Sequence, residues 1–328
     1  MDFNCSSGCA ISSLQQQATG VSIMSNDLVN LITTKPDKRR SKRKRTGKEK
    51  FWLIFRYVSL TFIWFLVVMP IYVLVINSLK GVKNVYLTNA FKLPEKLDFE
   101  AWSVAWSGTS YFPQSISESM GRTLFFVIQS SIISAIIGSI NGYVFAKWKF
   151  RGSNLIFTLF LFGMFIPYQA VMIPLVRIST ELGLSKSIYV LVLAHVIYGI
   201  PICTLIFRNY YEAIPNELIE AGRVDKASMF RIYRSVILPL SIPAFVVVLI
   251  WQFTSAWNDF LFAIFLTGGS PKLSVATTAL NFITGSSNQI YYGVNMTASL
   301  IVSLPTLIVY IFLGRYFLRG LLSGSLKG

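Results

Sequence analysis

Charge is scarce in this chain. Asp, Glu, Lys and Arg make up 13% of its 328 residues, about half of the roughly 25% that a water-facing globular surface carries. With 53% hydrophobic residues beside it, that deficit excludes an ordinary soluble domain. Cysteine occurs three times, too seldom and too scattered for a disulfide framework or a zinc site. Cys5 and Cys9 fall in a polar tail, and Cys203 reads as a small apolar side chain within a hydrophobic run. Histidine occurs once. His195 stands between Ala194 and Val196 without a second ligand at helical spacing, so it is read as core packing or as a hydrogen-bonding group on an internal cavity. There is no Gly-x-x-x-x-Gly-Lys phosphate loop, no Gly-x-Ser-x-Gly elbow and no His-Glu-x-x-His pair. The chain is therefore expected to hold no catalytic site, no metal and no cofactor, and any energy for work must come from an ion gradient or another subunit.

What the chain does have is length without charge. Residues 57–79, 123–146, 152–176, 187–207 and 235–258 each run 21 or more positions without a formal charge, enough for the roughly 20 apolar residues that cross a bilayer core of about 30 Å. A last run, 273–314, is twice that length and divides at the polar, Gly-containing stretch 284–295, leaving 296–314 as a sixth span. Pro167, Pro174, Pro201 and Pro305 fall inside these runs, where neighbouring helices can re-satisfy the backbone. The expected fold is an all-α integral membrane protein of six transmembrane helices. With the N-terminus inside, 22 of the 30 Lys and Arg residues fall on the inner side and 8 on the outer, which predicts that both termini are cytoplasmic.

The formal net charge of +16 has a local origin. Ten basic residues lie within 35–50, against Asp37 and Glu49. Residues 1–50 are read as a disordered basic cytoplasmic tail ahead of a membrane domain at 51–328. The block 38–45 sits just inside the first span, where it orients the chain and touches anionic lipid at about 1 kcal/mol per charge rather than binding nucleic acid. It follows rather than precedes any short apolar region, so no cleavable signal is expected. Met24 precedes a tail that looks sufficient by itself, and a start there rather than at Met1 is an expectation that a native peptide from residues 1–23 would exclude.

The loop between the fourth and fifth spans is unusually structured for its length. Pro215 suits a first helical turn, while Glu217 and Glu220 complement the positive end of a helix. Ser228 can cap a second short helix that carries Met229, Ile232, Tyr233 and Val236 at spacings of three and four. Two short helices joined at 223–227 are expected, with acidic and apolar groups facing the cytoplasm and a partner to receive them.

Glu220, Ala221 and Gly222, followed by Asp225, Ala227 and the run Ile237, Leu238, Pro239, resemble the EAA motif of permease subunits of ABC importers. That resemblance implies a cytoplasmic coupling helix seated in a cleft of an ATPase, with Glu220 as its contact. Two positions depart from the pattern. Gly222 stands where a second Ala is common, and Lys226 where a Gly follows the Asp; a positive φ there would strain Lys226 by about 1 to 2 kcal/mol. The segments 165–169 and 174–175, the run Trp257, Asn258, Asp259, Phe260, and the ending 315–328 resemble the maltose-type carbohydrate-uptake branch of that family, specifically its shorter subunit. Over 51–328 the resemblance implies a sugar or oligosaccharide permease in a bacterial plasma membrane. Its implied partners are a second homologous permease, an extracellular solute-binding protein and an ATPase dimer that uses ATP and Mg²⁺.

A sugar needs hydrogen-bonding groups beside aromatic faces. The fifth span supplies Trp251, Gln252, Thr254, Ser255, Trp257, Asn258 and Asp259, and Asn258 would lie roughly 27 Å along it from Leu240 at 1.5 Å per residue. Gln252, Trp257, Asn258 and Asp259 are the first candidates for a substrate path, with Tyr168, Gln169 and Gln129 behind them. Trp257 and Asp259 at that depth equally suit an interfacial anchor, and Ser130 and Ser134 suit helix packing. An ion-coupled secondary sugar transporter is the alternative; it calls for ionisable residues near the midplane and internal repeats.

Overall fold

The computed structural model describes residues 47–82, 90–109, 115–285 and 291–325, with side chains described except at 315 and 317–325. The basic block, Cys5, Cys9, Met24 and the last three residues lie outside the described residues, as does part of the polar stretch 284–295. The chain divides into two compact units, 1–66 and 67–328. The first helix, α1 (Gly47–Ser78), runs through the boundary. Its start at Gly47 carries helix into the region read as tail, because Lys48, Glu49 and Lys50 are good helix formers ahead of an apolar run. In the first unit α1 exposes apolar groups on all sides, Phe51, Phe55, Phe62 and Trp64 among them, as a helix with non-aqueous surroundings does.

Every regular element among the described residues is helical. In the second unit these are α2 (Glu100–Ser107), α3 (Ile116–Lys147), α4 (Ser153–Met164), α5 (Tyr168–Glu181), α6 (Tyr189–Glu212), α7 (Glu217–Val224), α8 (Met229–Leu240), α9 (Ile242–Trp257), α10 (Leu261–Leu266), α11 (Ala276–Gly285) and α12 (Tyr292–Ser325). Among the described residues four helices are long and apolar enough to span a membrane: α1, α3, α6 and α12 over Tyr292–Gly314. The third expected span is instead two helices, α4 and α5, that meet at 94°. Pro167 causes the break, since it disfavours helical backbone at Ile166 and cannot donate to the preceding turn. The fifth is also bent, by 78°, between α8 and α9 at Ser241. Counting each bent pair as one span gives up to six among the described residues.

The centre of the second unit is the α3–α6 pair, its most extensive helix contact. Small residues let the two backbones close together: a methyl group at Gly138 would sit 2.4 Å from Cys203 Cβ, and one at Gly142 2.7 Å from Phe207 Cβ. Ser130 and Ser134 are fully buried on α3, as expected of small polar residues at a helix interface. Two apolar clusters flank the pair. One gathers Phe126, Leu191, Trp257 and Phe262, and the other Tyr143, Phe207, Tyr211, Ile232, Ile237 and Val248. The end of α1 is tied down by polar bonds. Asn77 Nδ2 donates to the carbonyls of Val73 and Ala90, and Lys80 Nζ donates to Asn77 Oδ1 at 2.9 Å. Burial, with Lys92 nearby, lowers the Lys80 ammonium below its ordinary value.

Candidate functional site

Two of the places where polar side chains gather among the described residues hold the candidates read from the sequence. The first is a cleft of about 540 Å³ walled by the α4–α5 break, α6, and the junction of α9 with α10. Tyr168 reaches it because Pro167 turns the chain there, and Trp251, Gln252, Ser255, Asn258 and Asp259 reach it from α9 and its C-terminal end. Gln252 is buried and donates through Nε2 to the carbonyl of His195 at 2.8 Å. It lies flat against Gly199, where a methyl group would come within 2.6 Å of the amide. Asn258 donates to the Thr254 carbonyl at 2.9 Å.

Asp259 and His195 meet at the end of this cleft. Asp259 Oδ2 stands 3.4 Å from His195 Nε2, with both side chains nearly buried. The carboxylate also accepts the Phe262 and Ala263 N–H groups at 3.3 and 3.0 Å, at the start of α10. The imidazole sits between Phe126 and Phe262, at centroid distances of 5.6 and 5.7 Å. His195, which has no companion at helical spacing, therefore has an ionisable neighbour on a different element. A pairing between residues so distant in sequence leaves no periodic trace; the only signals are that His195 is the single histidine and that Asp259 is the single formal charge between Arg234 and Lys272.

The structure brings Tyr168, Gln252, Asn258 and Asp259 together on the cleft and adds His195 and Tyr198 to them. Trp257 lies elsewhere. It is buried, stacks on Phe253 at 5.6 Å, and donates through Nε1 to the Val302 carbonyl at 3.0 Å, tying α9 to α12. That bond gives Trp257 a packing role. Gln129 lies half-buried on α3 and does not line the cleft.

The second place is the loop between α6 and α9. Lys147, at the end of α3, donates to the Ile214 carbonyl at 2.6 Å and to Asn216 Oδ1 at 2.8 Å, fixing the entry to α7. The Arg223 guanidinium covers the Trp148 ring at 4.3 Å. Ser228 caps α8 by accepting from the Arg231 N–H. Glu220, Ala221 and Asp225 are exposed, and Gly222 and Ala227 half-buried. The apolar face expected to look outward is divided: Ile232 and Tyr233 are buried in the core, Val236 is half-buried, and Leu218, Val224, Met229 and Phe230 are exposed. The core side is held by a three-hydroxyl cluster in which Ser139 Oγ lies 2.6 Å from the Tyr211 hydroxyl and 2.8 Å from that of Tyr233. Tyr233 begins a π-turn, Tyr233–Ile237, inside α8.

The family model for binding-protein-dependent transport system inner membrane components matches residues 135–322. The xylose/arabinose import permease protein XacI of Haloferax volcanii is 37% identical over 227 residues, covering 63% of this chain and 74% of its own. The glucose import system permease protein GlcU of Saccharolobus solfataricus is 30% identical over 282 residues, covering 83% and 95%. Among solved structures, a chain of a bacterial ABC transporter involved in the import of the acidic polysaccharide alginate superposes with a TM-score of 0.71 at 21% identity, over 83% of this chain and 99% of that one. That likeness is one of fold.

Proposed function

The chain belongs to the family of binding-protein-dependent transport system inner membrane components, and on that premise we propose that it is a permease subunit of an ATP-driven importer of sugars or oligosaccharides. It is not itself an enzyme, because in this family ATP is hydrolysed by a partner. It lies in a plasma membrane with both termini on the cytoplasmic side, as the distribution of Lys and Arg supports. A second homologous permease completes the path, a solute-binding protein delivers sugar from outside, and a pair of ATPase subunits supplies the ATP and Mg²⁺ chemistry.

The observation that carries this reading is the exposed surface of α7. Glu217, Glu220 and Val224 are exposed on α7, Asp225 is exposed at its C-cap and Phe230 is exposed near the start of α8, while Ile219 of α7 and Ile232 of α8 are buried. An acidic and apolar knob on a rigid base suits a cleft in a partner, where depletion of water strengthens the charged contacts. Closure of the ATPases on ATP would draw such knobs together, and the α8–α9 bend would carry the displacement to the cleft-lining residues of α9. Glu220→Lys tests this. The subunit is expected at wild-type level in the membrane, with ATP-dependent uptake abolished and the ATPase lost from the purified complex. Unchanged uptake by that variant would remove the coupling role.

A further inference from the structure

The ionic character of the cleft follows from a short inventory. Among the described residues no Lys or Arg lines it, and its ionisable side chains apart from tyrosine are Asp259 and His195. With His195 neutral the cleft carries one negative charge, and with His195 protonated the 3.4 Å pair sums to zero. In neither state does the wall that this chain contributes present a net positive charge. The amide nitrogens of Gln252 and Asn258 donate to the carbonyls of His195 and Thr254, and among the described residues of the lining His195 is the ionisable nitrogen that faces the Asp259 carboxylate. The rings of Tyr168 and Tyr198 flank Phe262, at 5.4 and 5.3 Å, and offer an apolar face beside that acceptor.

We propose that this cleft selects uncharged saccharides over sugar acids, and that Asp259 is the residue that sets the preference. The inference rests on the sugar-importer reading and narrows its substrate class. A neutral sugar can donate a hydroxyl proton to the Asp259 carboxylate in a charge-assisted hydrogen bond and lay its C–H face on the aromatic rings. A uronate carboxylate is an acceptor only. It would shed its water against a described lining that has no Lys or Arg and no net positive charge, with an acceptor of its own sign at Asp259, and burying an unpaired ion is costly.

The test uses the transporter assembled with its second permease and ATPase subunits in lipid nanodiscs, without the binding protein so that only membrane sites are read. Trp251 lines the cleft and is 47% exposed, so its fluorescence reports occupancy, and Trp251→Phe should remove the signal. Glucose, xylose and maltose are expected to bind at least about ten-fold tighter than glucuronate and galacturonate. Asp259→Asn, which retains an oxygen for one of the two α10 N–H groups, should close most of that gap. Ser255→Lys places a cation on the same wall and should reverse the preference, a gain that a misfolded variant cannot mimic. Equal or tighter binding of the uronates to the wild type, or a ratio unmoved in both variants, would overturn the proposal while leaving the sugar reading intact. Trp251-dependent binding of neither class would remove the cleft as a sugar site and the sugar reading of this subunit with it.

Discussion

A methyl group at Gly222 would lie 2.9 Å from Cγ1 of Ile232, which accounts for glycine at a position where the related motif commonly has alanine. Ile232 is buried in the second apolar cluster and has little room to move. Gly222→Ala is therefore expected to cost about 1 to 3 kcal/mol through overpacking, seen as a lower melting temperature of the detergent-solubilised complex. Lys226 is the complementary case. Its φ is 54°, in the left-handed region that costs a side-chain-bearing residue about 1 to 2 kcal/mol. Glycine relieves that strain but loses about 0.5 to 1 kcal/mol of chain entropy. Lys226→Gly should raise stability by the small difference, about one or two degrees in the melting temperature for a chain of this size. Both positions were legible as departures from the motif; only Ile232, brought up from the next helix, explains the first.

Among the elements, apolar runs translate into helices faithfully but not into straight spans. The 152–176 run holds α4 and part of α5, with 12 and 14 residues in the two helices, and Pro167 turns one expected crossing into two segments. Other prolines, Pro174, Pro201 and Pro305, remain inside their helices. Pattern alone could not separate these cases, because a proline breaks a helix only where the freed carbonyls find no other support. The α3–α6 pair makes the opposite point. Its glycines are isolated letters in the sequence, yet Gly138 and Gly142 set how close the two helices come. Gly142→Leu is expected to force them apart at Phe207 and the Arg208 backbone, costing about 3 kcal/mol or more. The check is the yield of monodisperse protein, which should fall sharply, whereas Gly121→Ala, with open space around that position, should leave it unchanged.

For the whole molecule, the ion-coupled alternative makes the opposite prediction from family membership. Uptake by the assembled transporter is expected to stop with orthovanadate and to continue when an ionophore collapses the proton gradient while ATP is supplied. The reverse pattern would assign the His195–Asp259 pair to ion coupling.

Composition and charge-free runs determined by themselves that this is a helical membrane protein, because lipid demands long uncharged segments whatever their neighbours are. The acidic loop at 217–225 was likewise legible, since helix starts, caps and motif residues act locally. Only the tertiary structure decided which polar residues form a site. It set Trp257 into the core against Val302, left Gln129 off the cleft, and joined His195 to Asp259. Those outcomes depend on how bent helices face one another, and the distances across them are properties of packing with no period in the sequence to announce them.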